Sequence, residues 1–180
     1  MQPGPGDDFF ADLPRDAELA PEQRQAVHDL RGLLHFLRPQ FARPQDTTGS
    51  VTSYGEIDLA IAHAADPSVR IELHFGDGYL RLRWPGGEEH GGRDWDHRHV
   101  ETVEALLTGH NLQTLRFRFG RLLWADLETW DEHGRRRRHH RTWKARHLPL
   151  ASLVLLPQSC RPRSISFTRA PGVVDLDSKR

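Results

Sequence analysis

The densest chemistry in this sequence is the run Arg135-Arg136-Arg137-Arg138-His139-His140-Arg141, residue types suited to gripping phosphates or carboxylates. Strand pairing explains much of it. A two-residue turn at His133-Gly134 sets Glu132 beside Arg135, Asp131 beside Arg136, Glu128 beside His139 and Asp126 beside Arg141. Opposite charges across a ladder contribute roughly 0.2–1 kcal/mol each, the exposed ones least. The same register sets Trp124 opposite Trp143 and Trp130 opposite Arg137 on one face. A three-residue turn at Phe119-Gly120-Arg121 adds Arg116 across from Trp124. The expected partner-binding site is therefore a sheet face of Trp124, Trp130 and Trp143 interleaved with Arg116, Arg137 and Arg141. Tryptophan and arginine anchor binding surfaces, and guanidinium stacks on indole. A protein partner suits this face. Nucleic acid, stacking on the same indoles and drawn by the Arg135–Arg141 run, is the second reading; Asp126 and Glu128 within the patch oppose close phosphate tracking. Cover of the face by Leu150–Leu156 is the competing structural explanation, since large exposed apolar patches are uncommon.

A second basic feature is the stripe Arg24, His28, Arg31, His35 and Arg38, spaced by four, three, four and three residues along a helix. It suits an acidic peptide or anion, or simply a solvated helix flank. Twelve histidines raise a metal-dependent hydrolase as a third reading, centred on His90 and Asp94-Trp95-Asp96-His97-Arg98-His99. Helical spacing sends His97 and His99 apart, and the His-Glu-x-x-His pattern is absent, so no metal ligands are assigned. There is no Gly-x-Ser-x-Gly, P-loop or Gly-x-Gly-x-x-Gly after a strand. Cys160 has no identifiable base nearby, and Glu88-Glu89 falls in a glycine-rich loop. The sequence leans away from an enzyme and names no catalytic residue and no cofactor.

The elements that carry these residues read as follows. Pro21 opens a helix with Val27, Leu30, Leu34 and Leu37 as its apolar stripe, ending before Pro39. Residues 39–53 read as a polar loop. Ile57, Leu59 and Ile61 alternate as a strand, and Asp66-Pro67 turns the chain. The segment 69–84 is a hairpin about Asp77-Gly78, pairing Phe75 with Leu80, Leu73 with Leu82, and Glu72 with Arg83. A polar loop follows over 85–93. Asp96 caps a second helix that Gly109 terminates, with Val100, Val103, Leu106 and Leu107 inward. Leu115, Phe117, Leu123, Ala125 and Leu127 form one face of a second hairpin, and a third strand covers about 136–147. Residues 148–157 form a short buried element, and Ser164–Thr168 a last strand. The fold class is α+β, antiparallel sheets with two flanking helices, in the order α-β-β-β-α-β-β-β plus a short C-terminal element. Residues 1–20 are a flexible lead-in from which Phe9, Phe10 and Leu13 can dock, 21–170 a single domain and 171–180 a loose tail.

With 180 residues, 28% of them charged and 37% hydrophobic, the chain suits one soluble domain with a core of its own. No apolar run approaches the roughly 20 residues that span a bilayer. The acidic N-terminus lacks signal-peptide character and the single cysteine forms no internal disulfide, so the expected location is cytoplasmic. The formal net charge of zero hides a division: residues 1–110 hold 10 basic and 19 acidic side chains, residues 111–180 hold 15 and 6. Either the halves neutralise each other by packing, or the chain self-associates or presents a basic surface to an acidic partner. The element order is similar to that of class I type III secretion chaperones, in which helices flank an antiparallel sheet that binds a partner protein. It is also similar to that of small bacterial immunity proteins. The similarity implies a non-catalytic, chaperone-like or immunity-like protein-binding module.

Overall fold

The computed structural model describes residues 8–14, 18–37, 41–76, 78–91, 95–118, 121–143, 159–165 and 173–175. Helix α1 (Pro21–Leu37) is followed by a 3-10 turn (Pro44–Asp46) and five strands: β1 (Thr47–Val51), β2 (Ile57–His63), β3 (Asp66–Gly76), β4 (Tyr79–Trp84) and β5 (Gly87–Gly91). Helix α2 (His97–Thr108) then leads to β6 (Asn111–Arg118), β7 (Arg121–Trp130), β8 (Arg136–Trp143), β9 (Ser159–Ile165) and β10 (Val173–Asp175). The first five strands form a meander, β1-β2-β3-β4-β5, and the last five a second sheet ordered β10-β9-β6-β7-β8. All pairings are antiparallel. The α+β class read from the sequence is the one observed.

Alternation of apolar and polar residues drives the first sheet. Ile57, Leu59 and Ile61 on β2, Ile71 and Leu73 on β3, and Leu80 and Leu82 on β4 are all buried on one face, against Ala26, Val27, Leu30 and Leu34 of α1. Each such side chain contributes roughly 1.5–3 kcal/mol when taken out of water. The β3–β4 hairpin has the expected register, Phe75 with Leu80, Leu73 with Leu82 and Glu72 with Arg83. Phe9 and Phe10 are fully buried in the same core. Phe10 has a left-handed backbone (φ 57°), and its N–H donates to Thr47 Oγ1 at 3.0 Å.

Two strands occupy segments that read as loops. In β1 the inward positions are Thr47 and Gly49, and in β5 they are Gly87 and Glu89. Neither has an apolar inward residue, so no alternation is visible. The space is filled from elsewhere: a Cβ on Gly49 would lie 2.5 Å from the Leu13 side chain, and one on Gly87 would overlap the Trp84 indole. The chain also turns at Ala64-Ala65 rather than at Asp66-Pro67. There the buried His63 accepts the N–H groups of Ala65 (3.1 Å) and Asp66 (3.2 Å) on Nδ1.

Helix α2 has the expected caps. The Asp96 side chain accepts from Arg98 N, and Gly109 adopts the left-handed conformation (φ 79°). Val103, Leu106 and Leu107 are buried, and Val100 is only half-buried. In the second sheet, β9 lies beside β6 and begins at Ser159, earlier than the expected strand at Ser164. The expected buried element at 148–157 lies outside the described residues, as do 144–147 of the expected third strand.

The sheets meet where β5 lies against β8. Glu88 N donates to Thr142 Oγ1 (3.2 Å), whose hydroxyl donates to Glu88 O (2.6 Å). Arg138 pairs with the buried Glu89. Arg163 donates to Gln113 Oε1 and to the Pro85 carbonyl, both at 2.6 Å.

Candidate functional site

On β7 the side chains of Leu123, Ala125, Leu127 and Thr129 are buried toward the core, which leaves Trp124, Asp126, Glu128 and Trp130 on the outer face. The bracketing strands supply Arg116, across from Trp124 on β6, and Arg141, across from Asp126 on β8; Trp143 pairs with Trp124 in the backbone register, and its side chain lies outside what the structure describes. Both arginines reach the same indole. The Arg116 guanidinium carbon is 5.7 Å from the Trp124 ring centroid and that of Arg141 is 5.6 Å, within cation–π range.

Asp126, which the sequence marks as a ladder partner of Arg141 and an acidic member of the patch, ties this cluster together. It accepts from Arg141 Nε (2.5 Å) and from the Trp124 indole N–H (3.1 Å), with His139 at 3.3 Å and Arg116 Nε at 3.7 Å. It is only 7% exposed. Burial opposes its ionisation, but the Arg141 hydrogen bond and charge, the Trp124 indole N–H and His139 outweigh that. They hold the carboxyl below the usual carboxylate range. Arg116 also donates to Cys160 Sγ at 3.2 Å, which fixes the β6 side of the cluster.

Two members of the expected site lie elsewhere. A register shift between Thr129 and Trp130 makes Arg136, not Arg137, the partner of Trp130. The cause is the turn. Asp131 O accepts from Gly134 N (3.0 Å), Asp131 N donates to Arg135 O (2.9 Å), and Asp131 Oδ1 accepts from His133 N and Arg135 N. With Gly134 left-handed (φ 75°), the connection is wider than the two-residue turn expected at His133-Gly134. Arg137 consequently reaches α2, where it donates to Glu104 (3.1 Å) and lies 4.0 Å from Glu101. Arg136 takes Glu128 as its partner (3.1 Å) in place of Asp131. Trp130 shares the face with Trp124 but is six residues, about 20 Å, along the strand.

The basic stripe of α1 is largely spent within the chain. Arg24 donates to Leu19 O (3.2 Å), Arg31 donates to Phe9 O (3.0 Å), and the His35 ring meets Phe9 edge-on at 5.0 Å. His28 is exposed beside the cleft between α1 and α2, and Arg38 lies outside the described residues. His97 and His99 diverge as expected: His97 is solvent-facing near Glu101 (3.4 Å), while His99 is buried under Trp95 with Nδ1 3.0 Å from Asp96. Glu89, placed in a loop by the sequence, is a buried strand residue.

No family model, no curated protein and no solved structure matches this chain.

Proposed function

We propose that this protein is a non-catalytic protein-binding module, chaperone-like or immunity-like, that engages an acidic partner through the Arg116–Trp124–Arg141 cluster. The observation that supports this reading is one half-buried indole with guanidinium groups over it from both flanking strands, all anchored on Asp126. Such a cluster is rigid before a partner arrives, so little side-chain entropy remains to be lost on binding. It also combines the two residue types that most often dominate interface energetics. Two guanidiniums share one carboxylate, which leaves an excess of positive charge to attract an acidic surface.

The same geometry disfavours the nucleic-acid reading. Guanidiniums already occupy the indole that a base would stack on, and the arginine run is divided. Arg137 and Arg138 turn to Glu104 and Glu89, and only part of the run faces outward with Trp124. Affinity purification of the full chain at physiological salt, in parallel with Trp124→Ala, tests the proposal. A stoichiometric protein partner that the variant loses is the expected result. Recovery of no partner, or of nucleic acid whose retention falls steeply with salt, would sink it.

A further inference from the structure

We propose that the outer face of the first sheet binds a small molecule bearing an oxyanion, phosphoryl or carboxylate, with Arg81 as its anchor. Ser50, Asp58, His74 and Arg81 are successive cross-strand partners over β1–β4. Alongside runs a second row with Ala60, Glu72 and Arg83 in sequence over β2–β4. The small Ala60 beside the longer Glu72 leaves a groove of ≈ 320 Å³ on the face turned away from α1, a size that suits a small ligand.

Within this groove every ionisable side chain except one is matched. His74 Nδ1 lies 2.7 Å from Asp58 Oδ1, and its Nε2 lies 2.8 Å from the Tyr79 hydroxyl. With Nδ1–H donated to the carboxylate, Nε2 accepts the Tyr79 O–H and the ring is fixed at both ends. Glu72 is held by Arg70 at 2.5 Å and by Arg83 at 3.1 Å. Glu72 is thus neutralised by two arginines, and Asp58 is engaged by the His74 ring. Arg81 has no such partner: its Nε is buried and finds no acceptor among the described residues. A buried guanidinium N–H without an acceptor is costly, and an oxyanion is the group that fits its planar fork. The hydroxyl of Ser50, which also lines the groove, supplies a second donor.

The test is a titration of the full, 15N-labelled chain with sodium phosphate and, separately, with sodium acetate. Ionic strength is held constant with sodium chloride, and the Arg81 Nε–Hε and His74 ring resonances are followed by NMR. A saturating shift with either anion is expected, and the anion that saturates identifies phosphoryl or carboxylate as the recognised group. Arg81→Gln should weaken the binding read at His74 at least tenfold, while Arg136→Gln on the other sheet leaves it within twofold. Should Arg81→Gln fail to fold, Arg81→Lys serves instead, keeping the charge but losing the fork and again weakening binding. Linear, unsaturated shifts with both anions, or saturation unchanged by the Arg81 substitution, would overturn the proposal.

Discussion

Asp126 is shared by two arginines, a histidine and an indole N–H, so its carboxylate joins the groups around Trp124. Because folding lowers its pKa, its ionised form stabilises the native state at neutral pH. That stabilisation is lost as the pH falls below the ordinary carboxylate range, about 4, and through the lowered native value. Replacing it by asparagine keeps the shape and removes the charge. Asp126→Asn should cost about 2 kcal/mol in urea denaturation at pH 7, and the variant should show a shallower loss of stability below pH 4. His140 behaves in the same direction at higher pH. Burial lowers its pKa and outweighs the opposing pull of Glu89 and of the Glu88 carbonyl, so the folded protein prefers the neutral ring. The unfolded chain binds the proton more readily, and stability should fall as the pH drops below about 6.5. His140→Gln should flatten the difference between denaturation midpoints measured at pH 7.5 and 5.5; an unchanged difference would remove His140 as the cause.

At the scale of elements, sequence is informative where apolar alternation and turn chemistry agree. The β3–β4 hairpin and α2 meet that condition, and their registers and caps are those expected. Asp96→Ala should cost about 1 kcal/mol by leaving the first turn of α2 uncapped. Strands β1 and β5 leave no alternation in the sequence because their inward faces carry threonine, glycine and glutamate while Leu13 and Trp84 occupy the space. Gly87→Ala tests this: by forcing Trp84 aside it should destabilise by about 1–3 kcal/mol, read as a lowered denaturation midpoint. The Trp124 cluster was legible because register alone brings Arg116 and Arg141 to it. The Trp130–Arg137 pair was not, because Asp131 closes a wider turn with its own side chain and shifts the ladder by one residue. The Asp58–His74 contact stayed hidden for a related reason. It depends on the β2–β3 register, which follows a turn organised by the buried His63 rather than by Asp66-Pro67.

For the molecule as a whole, part of the charge division between the two halves is settled internally. Arg137 meets Glu101 and Glu104, and Arg138 meets the buried Glu89 across the seam between sheets. Breaking a buried pair from one side leaves an uncompensated charge. Arg138→Met should therefore cost about 3–5 kcal/mol, far more than the near-neutral effect expected for Arg136→Met on the exposed face. Internal neutralisation leaves Trp124, with the two arginines over it, as the part of the basic half that we propose meets a partner. The most direct measurement is calorimetric titration of the co-purified partner into wild type, Trp124→Ala and Trp130→Ala. The account predicts that Trp124→Ala weakens binding about thirtyfold, as an anchor worth about 2 kcal/mol does. Trp130→Ala, outside the cluster, should change it less than threefold. Equal losses from the two substitutions, or none from Trp124→Ala, would contradict it.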